Sequence, residues 1–256
     1  MTASQIRAKA RENLKGKWGK AAVYTLAFFV VELIISFILT LTQKSSDFVY
    51  LIFYLCYAVI SVPLAYGLIA TFINLKREEN VSYFYFLTEG FSKFKEAWLV
   101  GLRIIVKLIG WLLLALLGAI LMTFGTIGSI FGSSSLAFIG LIGFIAYIAG
   151  IIILVVKSYY YAITYYLLFD NSDMPATDIV DKSKELMTGH RWELFYLFLT
   201  FIGWAILSVL TLGIGLFFLV PYIQISTVIF YENLQNETPV KKQDSSDGNE
   251  EPIKEG

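Results

Sequence analysis

Long runs of apolar residues, separated by shorter polar stretches, dominate this 256-residue chain. A helix needs about 20 mostly apolar residues to cross ~30 Å of hydrocarbon. Six runs are predicted as transmembrane helices: residues 21–41, 48–75, 99–122, 136–156, 194–212 and 214–230. The last two runs meet at residues 211–215, where two glycines predict a tight turn. The pattern therefore predicts an all-α fold, a polytopic membrane helical bundle.

Three polar stretches between or before these runs carry apolar residues at helical spacing. The apolar stripes are Ile6, Ala10, Leu14 and Trp18 in the first, Phe84, Leu87, Phe91, Phe94 and Trp98 in the second, and Ile179, Val180, Ser183, Leu186 and Met187 in the third. Such stripes, flanked by basic residues, are typical of helices that lie in the membrane interface and attract anionic lipid. The alternative is that they pack beneath the bundle. We expect amphipathic interfacial helices on the cytoplasmic side.

Lysine and arginine residues are distributed unevenly along the chain. They collect in residues 1–20, in 76–95, in 182–191 and in the tail, whereas the opposite connections hold only Lys44. Because basic residues near helix ends are retained in the cytoplasm, both termini are predicted to be cytoplasmic. The predicted organisation is a basic amphipathic segment (1–20), a six-helix membrane domain (21–234) and a disordered cytoplasmic tail (235–256). No signal peptide precedes the first run, which is expected to stay as an anchor in the cell membrane.

Composition supports this class and removes others. The chain is 57% apolar and 16% charged with mean hydropathy +0.68, an apolar excess that a soluble domain of this length has no core to hold. The net charge of zero conceals the uneven distribution and gives no sign of nucleic-acid binding. One cysteine (Cys56) and one histidine (His190) supply neither a disulfide nor a zinc site. No catalytic or cofactor motif is found, so we expect a non-enzymatic protein without cofactors or metal.

Glu32 is the charged residue nearest the middle of a predicted span, where a bare carboxylate costs about 2.5–3.5 kcal/mol. The functional hypothesis is a proton or cation relay. The structural alternative is a neutral carboxyl group that is hydrogen-bonded to a Ser, Thr or Tyr of the bundle. A second candidate is the set of basic residues inside the apolar runs, Arg103, Lys107 and Lys157. They either snorkel to the interface or hold a lipid phosphate at the inner leaflet.

Prolines and small residues inside the runs predict particular helix contacts. Pro63 and Pro221 each remove a backbone N–H from a span, and neighbouring groups usually satisfy the carbonyl that is freed. Small residues along the fourth run suit close helix approach: Gly140, Gly143, Ala146 and Gly150. Asp170 and Asp173 are interpreted as helix-end and capping groups.

Several segments together resemble a known bacterial family. They are residues 7–18 (RAKARENLKGKW), 187–195 (MTGHRWELF), 201–204 (FIGW), 210–215 (LTLGIG), Pro221-Tyr222 and 230–234 (FYENL). In these segments the chain is similar to the integral membrane proteins grouped as domain-of-unknown-function family 975, over about residues 5–234. The resemblance implies a multispan protein of a Gram-positive cell membrane. It assigns no activity and carries over no catalytic residue.

The function expected from the sequence is that of a multi-pass membrane or envelope scaffold or accessory factor. The alternative is a small transporter or channel with a bundle cavity near Glu32. The expected partners are the lipid bilayer and anionic headgroups at its cytoplasmic face. A protein partner or a second copy of the chain stays open.

Overall fold

A computed structural model describes residues 1–43 and 46–237. Lys44 and most of the predicted tail, residues 238–256, lie outside the described residues. All regular structure in the described part of the chain is helical. The helices are α1 (Ala3–Leu14), α2 (Trp18–Gln43), α3 (Asp47–Lys76), α4 (Tyr85–Ser92), α5 (Phe94–Ile130), α6 (Ser134–Ser158), α7 (Thr164–Asp170), α8 (Ala176–Met187), α9 (Arg191–Leu199), α10 (Ile202–Leu210) and α11 (Leu216–Glu237).

Six helical segments are long and apolar enough to cross a membrane. They are Trp18–Gln43, Asp47–Lys76, Phe94–Ile130, Ser134–Asp170, Arg191–Leu210 and Leu216–Glu237. The fourth combines α6, a 3-10 turn (Tyr159–Tyr161) and α7, and the fifth combines α9 and α10. The prediction of an all-α polytopic bundle is confirmed.

The connection expected at residues 123–135 is shorter than the sequence suggests. Helix α5 continues to Ile130, and only residues 131–133 form the turn, with Gly132 at φ 80°. The hydroxyl of Thr123 donates to the Ala119 carbonyl at 2.8 Å. Hydroxyls that bond back to their own helix in this way satisfy themselves without ending it. Most of the Thr, Gly and Ser residues between the third and fourth predicted runs thus continue helix α5.

The six segments form three antiparallel hairpins. Hairpin one is α2–α3, hairpin two is α5–α6, and hairpin three pairs α9 and α10 with α11. The amine of Met1 lies 3.5 Å from Glu237, so both ends of the described chain meet. We call this end of the molecule, with α1, α4, α7 and α8, the terminal end. The opposite end, toward which the three hairpins extend, is the turn end.

The buried core lies at the terminal end. Its fully buried aromatic side chains are Tyr24, Tyr66, Phe72, Phe86, Phe230 and Tyr231. The stripe Ile6, Ala10 and Leu14 of α1 is also buried, because α1 packs against α11 and α9. The stripe of α1 thus packs on the bundle, as the alternative for it states, and the position of α1 in the membrane interface stays a prediction. The apolar face predicted for α8 is the face that is buried.

The stripe predicted around α4 is not the buried face of that helix, and its contact with the membrane interface stays a prediction. Phe84 and Phe91 are exposed, and the buried positions are Phe86 and Gly90. The cause is a close crossing of α4 over α3. A Cβ atom on Gly67 would collide with the backbone of Phe86, and one on Gly90 would collide with the backbone of Pro63. Two glycines therefore decide which face of α4 packs.

Hairpin two is held by a seam of glycines. The buried positions between its helices are Ala115, Gly118, Gly125 and Gly128 of α5 and Gly140, Gly143 and Gly150 of α6. A Cβ atom on Gly118 or Gly143 would meet the backbone of the facing helix. The small residues predicted along the fourth run thus do allow close approach. Helix α6 packs almost entirely on α5.

Hairpin three extends less far toward the turn end than hairpin one does. The ring of Phe218 lies 6.4 Å from Trp18, the first residue of α2, and Phe217 lies 5.8 Å from Phe29. Helix α2 continues for 14 more residues to Gln43, or about 21 Å at 1.5 Å per residue. The turn at residues 211–215 ends two residues before Phe217. It therefore lies beside the first half of α2.

Candidate functional site

Glu32 has a partner that sequence inspection missed. The hydroxyl of Tyr57 in α3 donates to Glu32 Oε2 at 3.2 Å, and both side chains are half-buried. The two residues are 25 positions apart and meet because α2 and α3 are antiparallel. This contact is the arrangement that the structural alternative describes. The relay stays a prediction.

The three basic residues proposed as lipid contacts do not form one site. Lys107 makes an ion pair with Asp181 of α8 at 3.1 Å. Lys157 lies over the ring of Tyr160 at 5.6 Å. Arg103 is exposed and makes no ion pair within the described residues. Helix α8 therefore engages one of the three cations, and their contact with lipid stays a prediction.

The carbonyl freed by Pro63 is satisfied by a tryptophan from another hairpin. Proline has no N–H, so the carbonyl of Val59, four residues earlier, lacks its helical donor. The indole Nε1–H of Trp98, at the start of α5, donates to that carbonyl at 2.8 Å. The sequence predicted that a neighbour would satisfy this group without identifying which one. Trp98 thereby connects hairpin two to hairpin one.

A cluster of ion pairs joins three helix ends at the terminal end. Arg77 donates two hydrogen bonds to Asp170, the last residue of α7, at 2.7 and 3.0 Å. The hydroxyl of Tyr231 donates to the same carboxylate at 2.9 Å. Glu232 pairs with Lys76 and lies 3.9 Å from Arg77. We call these five residues the terminal ion-pair cluster.

The terminal ion-pair cluster explains the position of Asp170. A carboxylate is disfavoured at a helix C-terminus, and the bidentate guanidinium of Arg77 offsets that cost. The hydrogen bond to Asp170 raises the pKa of Arg77, an effect that partial burial opposes. The carboxylates of the cluster are thus held by cations of the chain itself. Within the described residues, no three His, Cys, Asp or Glu side chains lie together as metal ligands would.

Comparison with known proteins identifies the family and no activity. The model of the family described as "Protein of unknown function (DUF975)" matches residues 1–238. The chain belongs to this family, as the resemblance in its sequence segments predicted. No curated protein and no solved structure matches the chain. The class defined by the fold is a multispan helical membrane protein.

Proposed function

We propose that this protein is a non-enzymatic scaffold or accessory factor of a bacterial cell membrane, with both termini in the cytoplasm. In this proposal, hairpin two is the surface on which helices of other membrane proteins dock. The observation that carries the proposal is the packing of hairpin two, in which α5 contacts α3, α4, α7 and α8 whereas α6 packs almost entirely on α5. Its helices pack on each other, and their outward side chains, such as Val106, Leu113 and Ile142, are 55–64% exposed.

The packing of the terminal end supports the same proposal. Docking on one hairpin requires that the hairpin be held in a fixed place. Trp98 and the Lys107–Asp181 ion pair fasten the base of α5 to hairpin one and to α8. A surface for partner helices thus extends from an anchored base. In lipid, helices associate through close packing and polar contacts, since burial from water gives no gain there.

Purification of the full chain from cross-linked membranes in a mild detergent tests this function. We expect a stoichiometric protein partner with the natural chain, and its loss when Leu113 and Ile145 on the outer face of hairpin two are replaced by Ala. The matched control is Leu33→Ala with Phe37→Ala on the exposed face of α2, which should keep the partner. Partner retention after the hairpin-two changes would contradict this docking surface.

The competing function is a small transporter that uses Glu32. The Glu32–Tyr57 contact places a titratable carboxyl group inside hairpin one, which is the observation in its favour. Flux into proteoliposomes that contain the pure protein, abolished by Glu32→Gln, would support transport over the scaffold. Tyr57→Phe is the matched variant. It removes the hydrogen bond and keeps the carboxyl group.

A further inference from the structure

A cavity of about 480 Å³ lies between hairpin three and the junction of α1 with α2. Its walls include Arg11, Trp18, Trp204, Leu207, Ile214 and Tyr222. This volume falls in the range of about 300–1,000 Å³ that is usual for small-molecule sites. The cavity exists because hairpin three is short and its turn lies beside the start of α2.

The cavity is apolar except at one end. The hydroxyls of Ser208 and Thr211 donate to carbonyls of their own chain segment, at 2.8 and 2.9 Å. Arg11 is the charged residue among the lining residues, and its Nη1 donates to the Tyr222 hydroxyl at 3.2 Å. Trp204 and Ile214 in the cavity wall are at least half exposed, so the cavity opens to the apolar surroundings of hairpin three.

The cation at this cavity lacks the carboxylate partners found elsewhere. Lys17, Arg77 and Lys107 each make an ion pair. Within the described residues, neither Arg11 nor Arg7 one helical turn earlier does so, and Arg7 Nε is buried without a hydrogen-bond partner. The Tyr222 hydroxyl accepts from Arg11 and donates to the Arg7 carbonyl at 3.3 Å. Because this hydroxyl is neutral, it does not balance the positive charge of Arg11.

We propose that this cavity binds one anionic phospholipid. The phosphate lies on the guanidinium of Arg11, and part of an acyl chain lies among Trp18, Trp204 and Leu207. Guanidinium groups bind phosphate through strong paired hydrogen bonds. The apolar walls match a hydrocarbon chain, and the open side lets that chain continue into the bilayer. This site is separate from Arg103, Lys107 and Lys157, and it does not depend on the proposed scaffold function.

Native mass spectrometry of the full chain in a non-ionic detergent tests this site. The protein is incubated with equimolar phosphatidylglycerol, with phosphatidylcholine of the same chains, or with glycerol phosphate, which has the anion and no chain. We expect one phosphatidylglycerol to be retained about tenfold better than phosphatidylcholine, with glycerol phosphate not retained. In Arg11→Gln, retention of phosphatidylglycerol should fall to the level of phosphatidylcholine.

Three further variants separate binding from folding. Lys9→Gln removes an equal charge from an exposed position of α1 outside the cavity and should retain the lipid. Tyr222→Phe removes the hydroxyl that accepts from Arg11 and leaves the guanidinium, so it should reduce retention of phosphatidylglycerol less than Arg11→Gln does. Leu207→Trp fills the cavity from an exposed position and should exclude the lipid while Arg11 stays in place. If Arg11→Gln fails to fold, Leu207→Trp still tests whether the lipid occupies this cavity.

Several outcomes would overturn the proposal. Equal retention of the two phospholipids would show that charge does not select the occupant. An equal loss in Lys9→Gln and Arg11→Gln would assign the effect to the general charge of α1. Tight binding of glycerol phosphate would identify a site for the free anion, and full retention in Leu207→Trp would place the lipid elsewhere.

Discussion

The terminal end and the turn end are built from the same long helices and are packed very differently. In the most apolar stretch of α2, α3 or α5, 11% of the residues are buried, against 56% in α11, which is the least hydropathic of the six segments. Apolar character therefore does not select the buried positions. Lipid accepts an apolar side chain as readily as a protein interior does, so hydrophobicity alone gives no reason for helices to associate.

Polar and small residues account for the difference between the two ends. Most of the buried polar side chains lie at the terminal end: Thr25, Thr71, Asn74, Thr164, Ser183, Ser226 and Thr227. A polar group is costly in hydrocarbon and gains from a protein partner, whereas glycine lets backbones approach closely. The following substitutions are ordered from the largest expected effect to the smallest.

Gly67→Ala should cause the largest loss of stability. Its Cβ atom would meet the backbone of Phe86, so α4 must move away from α3 at the centre of the terminal end. We expect a loss of about 3 kcal/mol or more in the free energy of unfolding, at the upper end for overpacking. Gly110→Ala, on the open face of α5, has nothing within 4 Å and should lose no stability. Equal losses in the two variants would contradict the packing difference. Thermal unfolding in detergent measures both.

Asp170→Asn should have the next largest effect. It leaves Arg77 and Lys76 facing a single carboxylate and weakens the hydrogen bond from Tyr231. Breaking a fully buried ion pair costs about 3–5 kcal/mol, and we expect about 2–3 kcal/mol here because the Arg77 side chain is one-third exposed. Asp173→Asn changes an exposed carboxylate nearby and is the control for denaturant unfolding.

Trp98→Phe should cost about 1–2 kcal/mol, since it leaves the Val59 carbonyl without a donor. In a Pro63→Ala background, the new backbone N–H supplies that carbonyl with its helical partner, so the cost of Trp98→Phe should shrink by more than half. The packing change from Trp to Phe is common to both backgrounds and cancels in the double-mutant cycle. The same cost in both backgrounds would show that the hydrogen bond is unimportant.

Glu78→Gln should have the smallest effect and depend on pH. The Lys17 ammonium donates to Glu78 and lowers the pKa of that carboxyl group. A lowered carboxyl pKa stabilises the folded chain above the ordinary pKa, and that contribution is lost as the pH falls through the lowered value. The melting temperatures of the natural chain and Glu78→Gln should therefore differ slightly at pH 7, and the difference should disappear once the pH falls below the lowered pKa. Added salt should reduce the difference, because Glu78 is exposed.

The sequence was sufficient to predict the long helices and the buried face of α8. Apolar length identifies a membrane helix, and a strong periodicity of 3.6 residues identifies a packed face. It was insufficient where distant residues meet. The crossing of α4 over α3 depends on two glycines 23 positions apart, and the terminal ion-pair cluster requires α3, α7 and α11 to converge. No local sequence pattern indicates either of these long-range contacts.

The hydrogen bond between Trp98 and Val59 also has a consequence for biogenesis. A ribosome makes hairpin one before it makes Trp98, which lies 39 residues after Val59. Until α5 emerges, the Val59 carbonyl has no donor from the finished fold, and an unsatisfied backbone group in hydrocarbon costs several kcal/mol. We therefore expect hairpin one to reach its final packing only after the following segment has been synthesised, so that its assembly depends on the order of translation.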